Sequence, residues 1–146
     1  MSYVVDTNVL ARTVHKNHPM QPVAKAAINN LLDQGEILFV FPQSLYEFWV
    51  MATRPEDANG FGMSVAEATN KVADFEMLLA MKLDQPGIYA EWKQLVTQHA
   101  VIGKPAHDAR IVAAMKVHGI THLLTFNVGD FKRFQAITVV SPNEVQ

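Results

Sequence analysis

Short apolar runs alternate with helical patterns along the whole chain, and this alternation limits the possible folds more than any other feature. Tyr3-Val4-Val5, Ile37 to Phe41, Thr121 to Thr125 and Ala136 to Val140 read as strands separated by stretches of helical spacing. Strands of this kind pair in parallel, are covered by helices on both faces and are joined by right-handed crossovers. The expectation is an α/β domain with a central parallel sheet. The 146 residues suit one domain spanning 1–146, with no linker, repeat or low-complexity segment.

The spacing predicts a first helix directly after Asp6-Thr7-Asn8, then one from about Pro22 to Gln34 stopped by Gly35. A third opens at Pro42 and Ser44 and is apolar nearly all round, so it is expected near the centre of the fold. Residues 54–62 carry turn and breaker residues and read as a mobile loop. Ser64 and Glu67 form a capping box for a long helix running through Ala68, Val72, Phe75, Leu79 and Leu83. Met77 and Met81, four residues apart, are expected to serve core or dimer packing there. Two more helices follow, from Gly87 to about His99 and from His107 to His118.

The absence of cysteine excludes disulfides, thiolate metal sites and thiol nucleophiles, so any metal must be held by oxygen or imidazole. No basic stretch followed by a long apolar run opens the sequence, and no window approaches a membrane span. The expected setting is therefore the reducing cytoplasm, away from membranes. A net charge of −2 argues against nucleic-acid binding by bulk positive field alone. The last third is nevertheless basic, because Lys104, Arg110, Lys116, Lys132 and Arg133 outnumber Asp108, Asp130 and Glu144.

In a parallel sheet, ligands bind beyond the carboxyl ends of the strands. Here those ends lead to Asp6, to the segment reaching Glu47, and to Asn127 through Asp130. Taken singly, each acid has an ordinary explanation as a helix cap: Asp6 for the first helix, a Ser44-x-x-Glu47 capping box, Asp108 in a first turn, and Asp130 around Phe131. Capping does not explain direction. Asp108 shares a helical face with Ile111, Val112 and Met115, while Glu47 stands among Tyr46, Phe48, Trp49 and Val50 and is expected to be partly buried. Clustered, unpaired carboxylates are costly unless a cation joins them. An all-oxygen set suits Mg²⁺ or Mn²⁺.

At this point the sequence resembles a known family. Val4-Val5-Asp6-Thr7-Asn8-Val9-Leu10, a lone Glu47 in an apolar helix, His107-Asp108-Ala109 opening a later helix, and Leu124-Thr125-Phe126-Asn127-Val128-Gly129-Asp130-Phe131 together look like the signature of PIN domains. Within that family the set is similar to the VapC-type toxin ribonucleases of toxin–antitoxin pairs. The resemblance runs from Asp6 to about Val140 and implies a three-layer α/β/α fold with four to five parallel strands. It implies a metal-dependent endoribonuclease in which Asp6 and Asp108 hold Mg²⁺ most directly, Glu47 and Asp130 complete the acidic pocket, and Asn8 and Thr125 position it. It also implies a homodimer and a cognate antitoxin. Many PIN domains have an acid where this chain has Asn127, so only Asp130 supplies charge after that strand.

Lys104, Arg110, Lys132 and Arg133 flank the acids in sequence and are candidate phosphate contacts, or simply solvated charges. Phe61, in the glycine-bearing loop, is a candidate base contact, whereas Trp49 reads as core. His107 beside Asp108 is a candidate proton carrier or a structural residue, and His15 and His18 are too isolated to be ligands. Two other functions compete: a phosphohydrolase with Asp6 as nucleophile, which Asn8 disfavours because it replaces a second aspartate, and a fold kept only for RNA or protein binding.

Overall fold

The computed structural model describes all residues from Met1 to Gln146. Five parallel strands form one sheet in the order β3-β2-β1-β4-β5, where β1 is Ser2–Val5, β2 Ile37–Val40, β3 Ala80–Met81, β4 His122–Leu124 and β5 Thr138–Val140. The most buried strand lies at the centre. Val4 pairs with Phe39 on one side and with Leu123 on the other.

Side chains of β1 alternate between two cores, as a period of two requires. Tyr3 and Val5 join Leu38, Val40 and Leu124 beneath α1 (Thr7–Val14), α2 (Gln21–Asp33), α3 (Pro42–Thr53) and α4 (Val65–Leu78). Val4 points the other way, into a core with Leu123 and the buried faces of α5 (Ile88–Gln98) and α6 (Pro105–His118). The product is the expected three-layer α/β/α arrangement. A single helical turn, α7 (Val128–Phe131), joins β4 to β5 and seats Phe131 in the second core.

Several local expectations are corrected. The long helix stops at Leu78, because the chain turns extended at Leu79 and adds β3 to the sheet edge, where Ala80 pairs with Phe39. Leu83 consequently lies outside the helix and is exposed, Met81 belongs to β3, and Met77, at 88% exposed, is not a core residue, which leaves its dimer-packing alternative standing. Helical spacing of apolar residues cannot register a two-residue edge strand. The 54–62 segment is a closed turn rather than a loose loop: Gly60 and Gly62 donate to the carbonyls of Pro55 and Arg54, and Phe61 to that of Met51, each at 2.9 Å. A Cβ at Gly60 would lie 1.9 Å from the Arg54 carbonyl oxygen, so only glycine closes this turn.

Helix α3 is less central than its composition suggests, since Tyr46 and Val50 face outward. Its N-cap is Phe41, which places Ser44 inside the first turn. The Ser44–Glu47 capping box therefore does not form, the buried Ser44 hydroxyl has no partner, and the Glu47 carboxylate is free for other contacts. The box does form at Ser64 and Glu67.

Candidate active site

The backbone ladder between β1 and β4 runs on through Asp6, whose amide donates to the Leu124 carbonyl at 3.0 Å. This fixes the first acid at the carboxyl edge of the central strand. Asp6 is 8% exposed, and its carboxylate accepts three hydrogen bonds. Oδ1 accepts from the Thr7 amide at 2.8 Å; Oδ2 accepts from the Thr125 hydroxyl at 2.9 Å and the Asn8 side-chain amide at 3.2 Å.

Asn8 and Thr125 act as one unit. Asn8 Nδ2 also donates to Thr125 Oγ1 at 2.9 Å, and Asn8 Oδ1 accepts from the Phe126 amide at 3.0 Å. The Thr125 oxygen takes a further hydrogen bond from the Asn127 amide at 3.1 Å. Asn127 contributes through its backbone, and its side chain is exposed.

Glu47 is exposed rather than partly buried, because α3 turns it to the mouth of the site. Its carboxylate is nevertheless held at both oxygens. Gln43, one turn earlier on the same helix, donates to Oε1 at 2.9 Å, and the Thr7 hydroxyl donates to Oε2 at 3.1 Å. Asp108 enters from the first turn of α6, with Ile111, Val112 and Met115 buried on the face it shares.

Glu47, Asp108 and Asp130 line one open cleft of about 720 Å³ together with Gln43, Tyr46, Lys104, Pro105, His107 and Arg110. Asp6 lies within electrostatic reach of Asp108 and Glu47. Burial, followed by the negative charges of Asp6, Asp130 and Glu47, pushes the Asp108 carboxyl up to about 6, against the opposing influence of His107. Burial also raises Asp6, opposed by its hydrogen bonds from Thr125, Thr7 and Asn8 and reinforced by Glu47.

Of the candidate basic groups, Lys104 and Arg110 reach the cleft, and Lys132 and Arg133 do not. The turn of α7 that presents Asp130 rotates the residues two and three positions later away from it, into solvent. Arg110 is already committed, donating to Gln43 Oε1 at 2.7 Å and to Asp84 at 3.0 Å. Phe61 lies elsewhere: it packs on His15 with ring centres 4.7 Å apart and helps line a separate cavity with Lys16 and Glu56. His15 in turn contacts His18. Trp49 packs against the first core, as expected.

Gln43 and the hydroxyl of Thr7 are the functional groups that sequence reasoning missed. The available signal was a glutamine four residues before a lone acid, which places both on one helix face.

No three His, Asp or Glu side chains converge as a preassembled metal cage. The donor set still fits Mg²⁺ or Mn²⁺, which keep several waters and need only one or two direct carboxylates. A cation there would relieve the mutual repulsion around Asp108, and the cleft is open to solvent. A covalent role for Asp6 fits poorly, since both oxygens already accept hydrogen bonds and Asn8 is spent on holding it.

A parallel sheet between helical layers, with acids gathered past the carboxyl ends of its strands, defines a three-layer α/β domain with an oxygen-only acidic site. The family model for the PIN domain matches residues 3–137, and the chain belongs to that family. Its fold is similar to a chain of VapBC2 from Rickettsia felis, solved bound to a DNA fragment from its promoter, at a TM-score of 0.74, 16% identity and coverage of 97% of this chain and 98% of the other. DNA-bound VapBC from Salmonella typhimurium is similar at a TM-score of 0.73 and 15% identity, covering 97% and 98% of the respective chains. The Mycobacterium tuberculosis toxin VapC20, described as cleaving the sarcin-ricin loop, is similar at a TM-score of 0.60 and 15% identity, covering 83% and 86%. No curated protein matches the sequence. No helix is long and apolar enough to cross a membrane.

Proposed function

We propose that this PIN domain is a Mg²⁺- or Mn²⁺-dependent endoribonuclease and the toxin half of a toxin–antitoxin pair, acting as a homodimer and silenced by a cognate antitoxin. The observation that carries the catalytic reading is the gathering of Glu47, Asp108 and Asp130 on one open cleft beside Asp6, where burial and the neighbouring charges push the Asp108 carboxyl up. A mere scaffold gains nothing from such repulsion. The toxin reading is supported by the similarity in fold to chains from VapBC complexes.

Asp6 and Asp108 would hold the metal directly, with Glu47 and Asp130 reaching it through waters. When bound, the metal supplies Lewis-acid chemistry, activating water for in-line attack and offsetting charge on the phosphodiester. The protein's own part is orientation. Thr125, Asn8 and the Thr7 amide keep the Asp6 carboxylate in one rotamer, and Gln43 with the Thr7 hydroxyl does the same for Glu47. Lys104 lines the cleft without forming an ion pair and draws an RNA phosphate toward the acids.

The test is cleavage of an end-labelled panel of structured RNAs by wild-type and Asp6→Ala protein in EDTA, Mg²⁺ or Mn²⁺, with both proteins shown to be folded. Metal-dependent cutting that disappears in the variant is expected. Cutting that persists in EDTA, or in Asp6→Ala, would reject the mechanism. Light scattering of the protein, alone and co-expressed with a protein encoded beside it, tests the dimer and antitoxin parts separately.

A further inference from the structure

We propose that Gln43 is a positioning residue of this site: its side-chain amide fixes the Glu47 carboxylate, and an Arg110–Asp84 brace fixes Gln43. The inference rests on the metal-dependent nuclease reading above.

Gln43 is 8% exposed, and all of its side-chain hydrogen-bonding groups are engaged. Nε2 donates to Glu47 Oε1 at 2.9 Å and to the His107 carbonyl at 3.0 Å. Oε1 accepts from Arg110 Nη1 at 2.7 Å, and Arg110 Nη2 closes an ion pair with Asp84 at 3.0 Å. The chain of contacts thus ties α3 to α6 and to the segment after β3. It also joins Glu47 to the residue next to Asp108.

The amide cannot turn over. Rotation by half a turn would set Oε1 against the Glu47 carboxylate and the His107 carbonyl, and Nε2 against the guanidinium, so every contact would become repulsive. Glu47 needs such a hold. It is exposed, carries a flexible side chain, and has no cation among its hydrogen-bond partners, so without Gln43 only the Thr7 hydroxyl restrains it. A side chain that orients a metal-binding carboxylate without touching the metal acts on affinity through that carboxylate alone.

The experiment is a double-mutant cycle read by calorimetric Mn²⁺ titration without RNA, using wild type, Gln43→Met, Glu47→Ala and the double variant. Gln43→Met keeps the length of the side chain and removes its hydrogen bonds. It is expected to weaken Mn²⁺ binding about tenfold in wild type, yet change it by less than about twofold once Glu47 is alanine. Saturating Mn²⁺ should return kcat toward the wild-type value and leave the KM for RNA near it, because the defect lies in metal affinity.

Wild-type affinity in Gln43→Met overturns the proposal. Equal losses in both backgrounds also overturn it, since that pattern reports general destabilisation rather than action through Glu47. If Gln43→Met fails to fold, Arg110→Lys carries the same cycle, because it keeps the charge opposite Asp84 and loses the planar fork; a loss of about threefold that depends on Glu47 is expected, and none overturns the proposal. A folded wild type that binds no Mn²⁺ is the distinct outcome in which the nuclease reading itself falls, and this inference with it.

Discussion

The Thr125 hydroxyl donates to Asp6 Oδ2 at 2.9 Å, joining the residue after β4 to the residue after β1 across the centre of the sheet. One hydroxyl accepts from Asn8 and from the Asn127 amide while it donates to the acid. Its hydrogen-bonding capacity is therefore used in full.

Thr125→Val is the shape-matched disruption of that contact. It leaves the buried Asp6 short of a donor and the Asn8 and Asn127 groups short of an acceptor. The expected loss of stability is about 1–3 kcal/mol in chemical denaturation. Cleavage is expected to fall at least tenfold or so, as for loss of a partner that orients a metal-binding carboxylate. Thr125→Ser, which keeps the hydroxyl, should retain most of both.

The crowding of Asp108 also sets a pH dependence. Its folded carboxyl titrates near 6 against a usual value of 3.8, so between those values the folded state holds a proton that the unfolded state has lost. Metal-free stability therefore falls as pH rises through this window and levels off above it. His15, lowered by burial and by Arg12, acts in the opposite direction, so the Asp108 contribution is read as a difference between proteins. Thermal melts in EDTA should show Asp108→Asn more stable than wild type at pH 7.5, with the gap closing toward pH 5. A gap that widened on acidification would contradict the cause assigned here.

Lys104 lines the cleft, whereas Lys132, Arg133 and Phe61 do not. Steady-state kinetics should show Lys104→Ala raising KM for RNA several-fold, by roughly 1 kcal/mol, with kcat little changed. Alanine at Lys132 or Arg133 should shift kcat/KM by no more than about twofold, as befits exposed charges away from the site. Equal defects at all three lysine and arginine positions would favour a broad basic surface over a local contact.

Ser44 offers a check on the fold alone. Its hydroxyl is buried with no partner, a consequence of α3 starting two residues before it. Ser44→Ala is expected to leave stability unchanged or raise it by up to about 1 kcal/mol, because no hydrogen bond is lost. A clear loss in urea denaturation would mean that the hydroxyl has a partner after all.

The legibility of these features in the sequence follows from physical range. Strand–helix alternation and the inward stripe of Ile111, Val112 and Met115 are local patterns, so the parallel layers and the direction of Asp108 were accessible. The edge strand at Ala80 was not, because two residues carry no period and its pairing with Phe39 is a tertiary event. The places of Asp6, Asp108 and Asp130 at strand ends and helix starts are local features, so their gathering at one end of the sheet was legible. The Gln43–Arg110–Asp84 chain was hidden, since neutral amides leave no charge signature and the partners lie 67 and 26 residues apart. Flanking position alone left Lys132 and Arg133 open between phosphate contact and solvated charge, because the direction of the chain after α7 decides which side chains face the cleft.

The most direct single measurement is calorimetric titration of Mn²⁺ into wild-type and Asp108→Asn protein at pH 6 and pH 7.5, repeated in two buffers of different ionisation heat. Metal displaces protons from the groups it binds, so the buffer difference counts protons released. Wild type should bind Mn²⁺ with clear proton release at pH 6 and less at pH 7.5, and Asp108→Asn should lose both the affinity and the pH-dependent release. Binding absent from folded wild type, or equally tight and equally proton-coupled in Asp108→Asn, would contradict the assignment of this acidic cleft as a metal-dependent nuclease site.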